Sequence, residues 1–551
     1  MDSLKEQIED WNELKRHTPE KKRLARAALA DIMGGAKVLD AIRQHPITAE
    51  GGGYIGKQML VAAYRELVES GEIVEDPHLL AKIRMKPTRT QSGVTVVTVL
   101  TKAYPCPGKC VFCPTDVRMP KSYLPDEPGA MRALHHQFDP YDQVTARIEA
   151  LEAVGHPTDK IELLILGGTW SSYRKDYQEW FVHRLFDAMN GLEAPQAPAE
   201  YKERMPMDRL DLDAAQNYNQ TAAHRNVGLV IETRPDHIDR EELAWLRYLG
   251  VTKVQLGAQS FDDHILEINK RGHDVRATRD AVALLRAAGF KIVLHWMPNL
   301  LGATPEMDRI DFARMWQGYC PDEIKIYPNQ LLQNAELYEY WQRGEFIPYT
   351  TRELIELLVD IKPAVPRYCR VNRVIRDIPS TNVVEGNKRT SLRMDIHREM
   401  KKRGTACQCV RCREVRGRKV EEEALGLNDL VYHTGEAEEH FLSFDTPKDH
   451  LAGFLRLSLP ENNSPDTGLD DLEGAALIRE VHVYGQSIEV GDSKEGAAQH
   501  IGLGTSLLEE AENLAREKGF SRMAVISAVG TREYYAGRGF WMGDRYMLKD
   551  L

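Results

Sequence analysis

Between Lys82 and Lys362 the sequence repeats one pattern six times, a short β-branched run followed by a helical stretch. The runs are Val94–Leu100, Ile161–Leu166, Val227–Glu232, Lys253–Leu256, Lys291–His295 and Glu323–Tyr327, with amphipathic segments such as Arg240–Leu249 and Arg276–Ala288 between them. Parallel strands need long crossovers, which helices supply, so six such units predict an α/β fold with a parallel sheet, an open or partial (β/α)6 barrel. Sites in barrels of this kind lie at the C-terminal strand ends. Those ends carry a cysteine loop, Gly167-Gly168-Thr169, Glu232 with Arg234, Gln255 and Gln259, His295 and Met297, and Lys325 and Tyr327. Singly each is an ordinary loop residue; in succession they mark a site.

Six of the eight cysteines fall in two tight clusters, Cys106/Cys110/Cys113 and Cys407/Cys409/Cys412, while Cys320 and Cys369 stand alone. That distribution favours metal ligation in a reducing compartment over a disulfide scaffold. Cys106-Pro-Gly-Lys-Cys110-Val-Phe-Cys113 follows the first strand. Three thiolates can hold three irons of a [4Fe–4S] cube and leave the fourth open to S-adenosylmethionine, whose reductive cleavage gives a 5′-deoxyadenosyl radical. The competing reading, zinc, normally demands four closed ligands. The spacing and loop position resemble the radical S-adenosylmethionine superfamily. By that resemblance Gly167, Gly168 and Thr169 contact the methionine moiety, with Glu232, Arg234 and Gln259 as further contacts.

The flanks differ from this middle. Residues 1–78 read as helices, with Leu24, Ala27, Ala28 and Ile32 and then Met59, Ala62, Ala63 and Leu67 at helical spacing. They form either an accessory RNA-binding module or a helical prefix. Residues 79–362 are the barrel region and 363–422 a basic, cysteine-containing connector. Between Lys362 and Lys419 there are 17 Lys and Arg against 5 Asp and Glu, although the whole chain carries −11. Segregated positive charge is the footprint expected for a polyanion, or else a solvated connector. No apolar stretch approaches the roughly 18–20 residues that span a bilayer, and no signal peptide is evident at Met1, so the chain reads as cytoplasmic and off the membrane.

From 423 to 551 the pattern becomes hairpin-like, with Phe441–Phe444, Ala452–Leu457, Leu477–Tyr484 and Arg522–Val529 as strands and Thr505–Lys518 as a helix. Gln499-His-Ile-Gly502-Leu503-Gly504-Thr505 precedes that helix, where glycines admit a pyrophosphate and the helix N-terminus faces its charge. Tyr534-Tyr535-Ala-Gly-Arg-Gly539-Phe540 follows the last strand. The order resembles the α+β GNAT acetyltransferase fold. By that match Tyr535 lies near the sulfur of acetyl-CoA, as an acid or a polarising group. Tyr534 suits a core aromatic. Glu480, Val481, His482 and Val483 would pair with the pantetheine arm.

Several longer strings go further: Ile231-Glu-Thr-Arg-Pro-Asp236, Asn269-Lys-Arg-Gly-His273, Lys325-Ile-Tyr-Pro328, Arg376-Asp-Ile-Pro379 and Arg479-Glu-Val-His-Val-Tyr-Gly485. With the fusion order, they resemble the catalytic subunit of Elongator and its single-chain bacterial and archaeal relatives, from about Ile83 to the C-terminus. The resemblance implies tRNA wobble-uridine acetyltransferase activity giving 5-carboxymethyluridine. The deoxyadenosyl radical would take hydrogen from the acetyl-CoA methyl, the carbon radical would add to uracil C5, and thioester hydrolysis would follow. It also implies an acetyl-CoA contact at Lys160 and active-site roles for Lys270 and Arg271. The x3 gap between Cys106 and Cys110 points to a prokaryotic form, for which no obligate Elongator-type subunits are expected. The partners are then the tRNA anticodon stem-loop and an electron donor.

Cys407, Cys409 and Cys412 suit a structural zinc site over free thiols, with Cys320 preferred to Cys369 as fourth ligand. The alternative activity is lysine acetylation of protein beside a structural cluster. Direct acetyl transfer to an amine needs no radical, which disfavours it.

Overall fold

The computed structural model describes residues 18–48, 52–192, 212–416, 418, 420, 424–484 and 502–551. Two compact units emerge: one comprises the chain up to Thr90 with Ala146–Thr158, the other Gln91–Thr145 with Asp159–Leu551. The first unit is helical, with Pro19–Met33, Val38–Gln44, Lys57–Glu69 and Pro77–Ile83. Thr18 and Asp76 cap the first and last of these, each cap worth about 1 kcal/mol. Ala25, Ala28, Leu29 and Ile32 pack on Met59, Leu60, Ala63 and Tyr64, the two apolar stripes being at helical spacing. Among the described residues no helix is long and apolar enough to cross a membrane.

The second unit contains two seven-stranded sheets. The first holds β1 Thr95–Leu100, β2 Lys160–Leu166, β3 Arg225–Thr233, β4 Lys253–Gln259, β5 Lys291–Trp296, β6 Glu323–Ile326 and β7 Arg370–Arg373, in sequence order. All six pairings are parallel. The sequence predicts six strands; the seventh comes from the basic connector. Arg370-Val-Asn-Arg373 has a single β-branched residue and is held by backbone pairing to β6, so no periodicity marks it. Helices between the strands start on side-chain caps, Asp239 before Arg240–Tyr248, Asp274 before Val275–Ala287 and a Thr350/Glu353 capping box before Thr351–Ile361.

The second sheet is mixed: β8 Gly426–His433, β9 Ala437–Asp445, β10 Leu451–Pro460, β11 Ala475–Val483, β12 Arg522–Val525, β13 Trp541–Met542 and β14 Met547–Asp550. Its order is β13-β14-β12-β11-β10-β9-β8. The helix Leu503–Glu517 covers it, burying Leu507, Leu508, Ala511 and Ala515 against Leu455, Leu457 and Ile478. β12 stops at Val525, short of the expected Val529. The chain then turns through Val529–Thr531, where a Cβ on Gly530 would stand 2.6 Å from Arg225 Cβ at the start of β3. This turn docks the second sheet on the N-terminal ends of the barrel strands.

Charge completes that junction. Arg479 of β11 is fully buried and donates to Asp322, just before β6, at 2.7 and 2.8 Å, and to Glu439 at 2.8 Å. Arg456 donates to Glu480 at 2.9 Å and to the Tyr368 carbonyl at 2.8 Å. Lys291 of β5 is shared between Glu323 and Glu480. The Arg479 and Arg456 guanidiniums, acting against desolvation, hold Asp322 well below the usual carboxylate range. A buried network costs desolvation and is strongly specific once every member is paired.

Candidate active site

The cysteine loop leaves the C-terminal end of β1. Cys106 Sγ accepts from Gly108 N–H at 3.4 Å and lies 3.5 Å from Thr169 Oγ1, while Cys110 Sγ accepts from Arg271 Nη1 at 3.3 Å. A Cβ on Gly108 would lie 3.6 Å from both Cys106 and Cys110 Sγ and 2.6 Å from Arg234 Nη1, so only glycine fits between sulfurs and guanidinium. Arg234 is tied to Asp236 at 2.7 and 2.8 Å and to the Arg271 carbonyl at 2.9 Å. Two oriented guanidiniums thus stand beside the cysteine loop, while burial pushes the Cys113 thiol up to about 12. The three sulfurs do not converge on one point as Cys407, Cys409 and Cys412 do. A cube that takes each thiolate on a different iron needs that wider spacing.

Gly167 and Gly168 have φ of 142° and 93°, and a Cβ on Gly167 would stand 1.8 Å from Thr101 Oγ1. The turn is possible only for glycine, and it sets Thr169 against Cys106. Gln259 ends β4 with φ of 72°, and its buried Oε1 has no hydrogen-bond partner, which leaves an acceptor free at the strand end. Glu232 accepts from the Tyr123 hydroxyl at 3.2 Å. His295 Nε2 lies 2.9 Å from Gln255 Oε1, and its Nδ1 is 3.6 Å from Glu232. Burial, then the charges of Lys325 and Arg376, push the His295 imidazole well down, so it is neutral. A neutral ring donating through Nε2 leaves Nδ1 as an acceptor.

At the opposite end, β11 and β12 separate. Their pairing runs from Ala475↔Arg522 to Ile478↔Val525 and no further, so Glu480–Val483 stand off from β12. The helix Leu503–Glu517 begins beside this opening, with Gly502 at φ of 72° as its N-cap. Thr505 Oγ1 accepts from Arg538 at 3.1 Å, and the Arg538 guanidinium lies 3.6 Å from the Tyr534 ring centre. A Cβ on Gly504 would meet the Tyr534 hydroxyl at 2.6 Å. Burial pushes His482 down to about 4.

Cys407, Cys409 and Cys412 gather their sulfurs within 4.8 Å of one another. Lys362 is fully buried beside them and its Nζ has no hydrogen-bond partner, while hydrogen bonds from Cys407 and Cys412 hold the Cys409 thiol well down. Cys320 does not join them. It sits at φ of 41° and turns its thiol back to the Trp316 carbonyl at 3.6 Å, outside the group it was expected to complete as fourth ligand.

Comparison with known proteins agrees with this geometry. The radical SAM superfamily model matches residues 103–313 and the radical SAM C-terminal domain model residues 321–402. The tRNA uridine(34) acetyltransferase of Dehalococcoides mccartyi is 40% identical over 472 residues, covering 85% of this chain and 99% of that protein. Elongator complex protein 3 of Saccharomyces cerevisiae is 35% identical, covering 86% of each chain. The structure of archaeal Methanocaldococcus infernus Elp3, with an N-terminal deletion, aligns at a TM-score of 0.70 and 38% identity over 84% of this chain and all of that one. The chain belongs to the Elongator complex protein 3 family.

Within this Elp3-family chain, Cys106, Cys110, Cys113, Gly167, Gly168, Thr169, Glu232 and Gln259 sit at one end of the barrel. Lys270 stands apart from them. It is half-exposed and paired with Glu336, whose hydrogen bond raises its pKa, and Arg271 is the neighbour that faces the cysteines. Lys160 opens β2 at the far end, level with Arg225, and burial lowers its pKa. The two tyrosines stand differently. Tyr535 is the buried ring, packed in the core beside Phe540 with Val481 against that core, whereas Tyr534, expected in the core, is exposed and reaches the glycine turn. Gln499 lies outside the described residues. Tyr123 and Arg538 were not foreseen: an isolated tyrosine between β1 and β2 carries no motif, and Arg538 is hidden inside the aromatic signature.

Five of the connector's cations also prove to be internal ties. Arg376 bonds Glu127, Arg413 bonds Asp445, Arg370 bonds Glu414, and Arg393 and Arg411 bond backbone carbonyls. Lys388, Arg389, Arg398, Lys401, Lys402 and Arg403 remain exposed.

Proposed function

We propose that this chain modifies the wobble uridine of tRNA to 5-carboxymethyluridine, with acetyl-CoA as the two-carbon donor and a radical generated from S-adenosylmethionine. The supporting observation is the pairing of two half-sites on one barrel: a cysteine loop at its C-terminal end and a splayed GNAT-type sheet docked at its N-terminal end. A lysine acetyltransferase would leave the cysteine end without a role.

Cys106, Cys110 and Cys113 hold the cluster, which when bound supplies the electron that cleaves the sulfonium. Gly167, Gly168, Thr169, Glu232 and Gln259 bind S-adenosylmethionine. Arg271 and Arg234 offset the thiolate charge. Gly502, Leu503, Gly504 and Thr505 receive the pyrophosphate at the helix N-terminus, and the family resemblance adds Gln499 to them. Glu480–Val483 receive the pantetheine amides in the opening left by β12, with Tyr535 and Lys160 at its margins. Lys270, exposed at the rim, contacts the substrate. Cys407, Cys409 and Cys412 bind zinc, with Lys362 balancing a thiolate-rich centre. The exposed cations around the helix Leu392–Lys402 contact the anticodon stem-loop.

The test is nucleoside mass spectrometry of tRNA after incubation with reconstituted enzyme, reductant, S-adenosylmethionine and acetyl-CoA labelled with 13C in both acetyl carbons. The reading predicts carboxymethyluridine carrying both labels. Acetylated protein lysines with unmodified tRNA would contradict it.

A further inference from the structure

Two layers of inward-facing polar residues fill the barrel lumen, because alternate positions of a strand point to the same face. In the layer nearer the second sheet every cation has a carboxylate. Lys253 pairs with Glu162 at 2.5 Å and Glu323 at 3.6 Å, and Lys291 pairs with Glu323 at 2.7 Å and with Glu480. Nearer the cysteine end, the group of Glu232, Gln255, His295 and Lys325 is different. Lys325 is 7% exposed and donates to Gln255 Oε1, an oxygen that also accepts from His295 Nε2 at 2.9 Å. Among the described residues no carboxylate oxygen lies within 4.0 Å of its ammonium.

The surrounding charges are already engaged. Arg376 is bound to Glu127 at 3.0 Å, Arg373 to Asp377 at 2.8 Å and Arg271 to Cys110 Sγ at 3.3 Å. Glu232 accepts from Tyr123 and stands beside His295. An ammonium carries three donors and is costly to bury without an anion or a polar oxygen to receive them. Lys325 also has a telling height in the barrel. It lies two residues, about 7 Å, above Glu323, and Glu323 shares Lys291 with Glu480 of the acetyl-CoA strand. It therefore stands between the two half-sites.

We propose that Lys325 binds the acyl oxygen of the two-carbon substrate inside the barrel, supplying the polar partner that the lumen holds ready and turning the acetyl methyl toward the cysteine rim. This rests on the reaction proposed above. The shared chemistry is an acyl oxygen, present in the thioester carbonyl of the substrate and in the carboxylate of the product.

The measurement is the ratio of carboxymethyluridine formed to 5′-deoxyadenosine released by the full-length reconstituted protein with tRNA. Lys325→Met should lower the ratio roughly a hundredfold or more, the size of losing a well-placed oxyanion donor. Lys325→Arg should recover part of it. Gln255→Glu, which gives the ammonium a resident carboxylate, should lower the ratio as Lys325→Met does. Misfolding would depress both products together, and Gln255→Glu then decides. Competition by added acetate in the wild type identifies the carboxylate as the bound form; no competition identifies the thioester carbonyl. An unchanged ratio in both Lys325→Met and Gln255→Glu would overturn the assignment. Wild-type enzyme that releases 5′-deoxyadenosine but never forms carboxymethyluridine would instead overturn the reaction.

Discussion

Asp308 shows how a single buried carboxyl sets a pH dependence. It accepts from the Asn299 N–H at 2.8 Å and the Tyr349 hydroxyl at 2.9 Å, and burial lifts it to about 7. An unfolded aspartate titrates near 4, so the folded chain holds this proton more tightly than the unfolded one. The stability it contributes is fully present below about pH 4 and is lost as pH rises through about 7, at most about 4 kcal/mol over that range. Asparagine keeps an acceptor and cannot ionise. Asp308→Asn should therefore flatten the fall in Tm between pH 5 and pH 8, measured by calorimetry. A variant with the wild-type pH slope would remove Asp308 as the cause.

The connector is the element on which the proposed zinc would act most directly. Its three thiols converge within 4.8 Å, and the chain beside them is tied to β7 through Val410 N–H to the Cys369 carbonyl at 3.0 Å. Cys409→Ser should cost the protein its bound zinc, read by elemental analysis. It should also expose 363–422 to protease, because structural zinc contributes directly to folding. Full zinc content in that variant would refute the site. The sequence made elements of this kind legible to unequal degrees. Six barrel strands showed because their β-branched runs alternate with amphipathic helices. The edge strands β7, β8 and β13 did not, since an edge strand is exposed, short or polar and is fixed by backbone pairing that leaves no periodicity. The cysteine loop and the Gly167-Gly168 turn were readable because local geometry demands those residue types. The inward role of Arg271 and the outward one of Lys270 were not, because a backbone at φ of 52° at Lys270 decides which neighbour turns inward.

At the scale of the whole molecule, the proposed reaction needs the mixed sheet and the barrel held as one body. Arg479, Asp322 and Glu439 hold them, with no exposure to water. Arg479→Met would leave two buried carboxylates short of their partner, a loss of about 3–5 kcal/mol. Thermal unfolding should show it as a lowered Tm, and tRNA-dependent acetyl-CoA turnover should fall with it. An unchanged Tm would mean that the junction is held elsewhere. The radical origin of the carbon–carbon bond is the central claim, and Cys110 tests it most directly, since it stands on the loop proposed to hold the cluster, beside Arg271 and at the other end of the barrel from the opening between β11 and β12. Wild type and Cys110→Ala, reconstituted side by side, should be compared for 5′-deoxyadenosine and for carboxymethyluridine in the same tRNA. The account predicts that Cys110→Ala makes neither while still binding tRNA. Carboxymethyluridine formed at the wild-type rate by Cys110→Ala would contradict it.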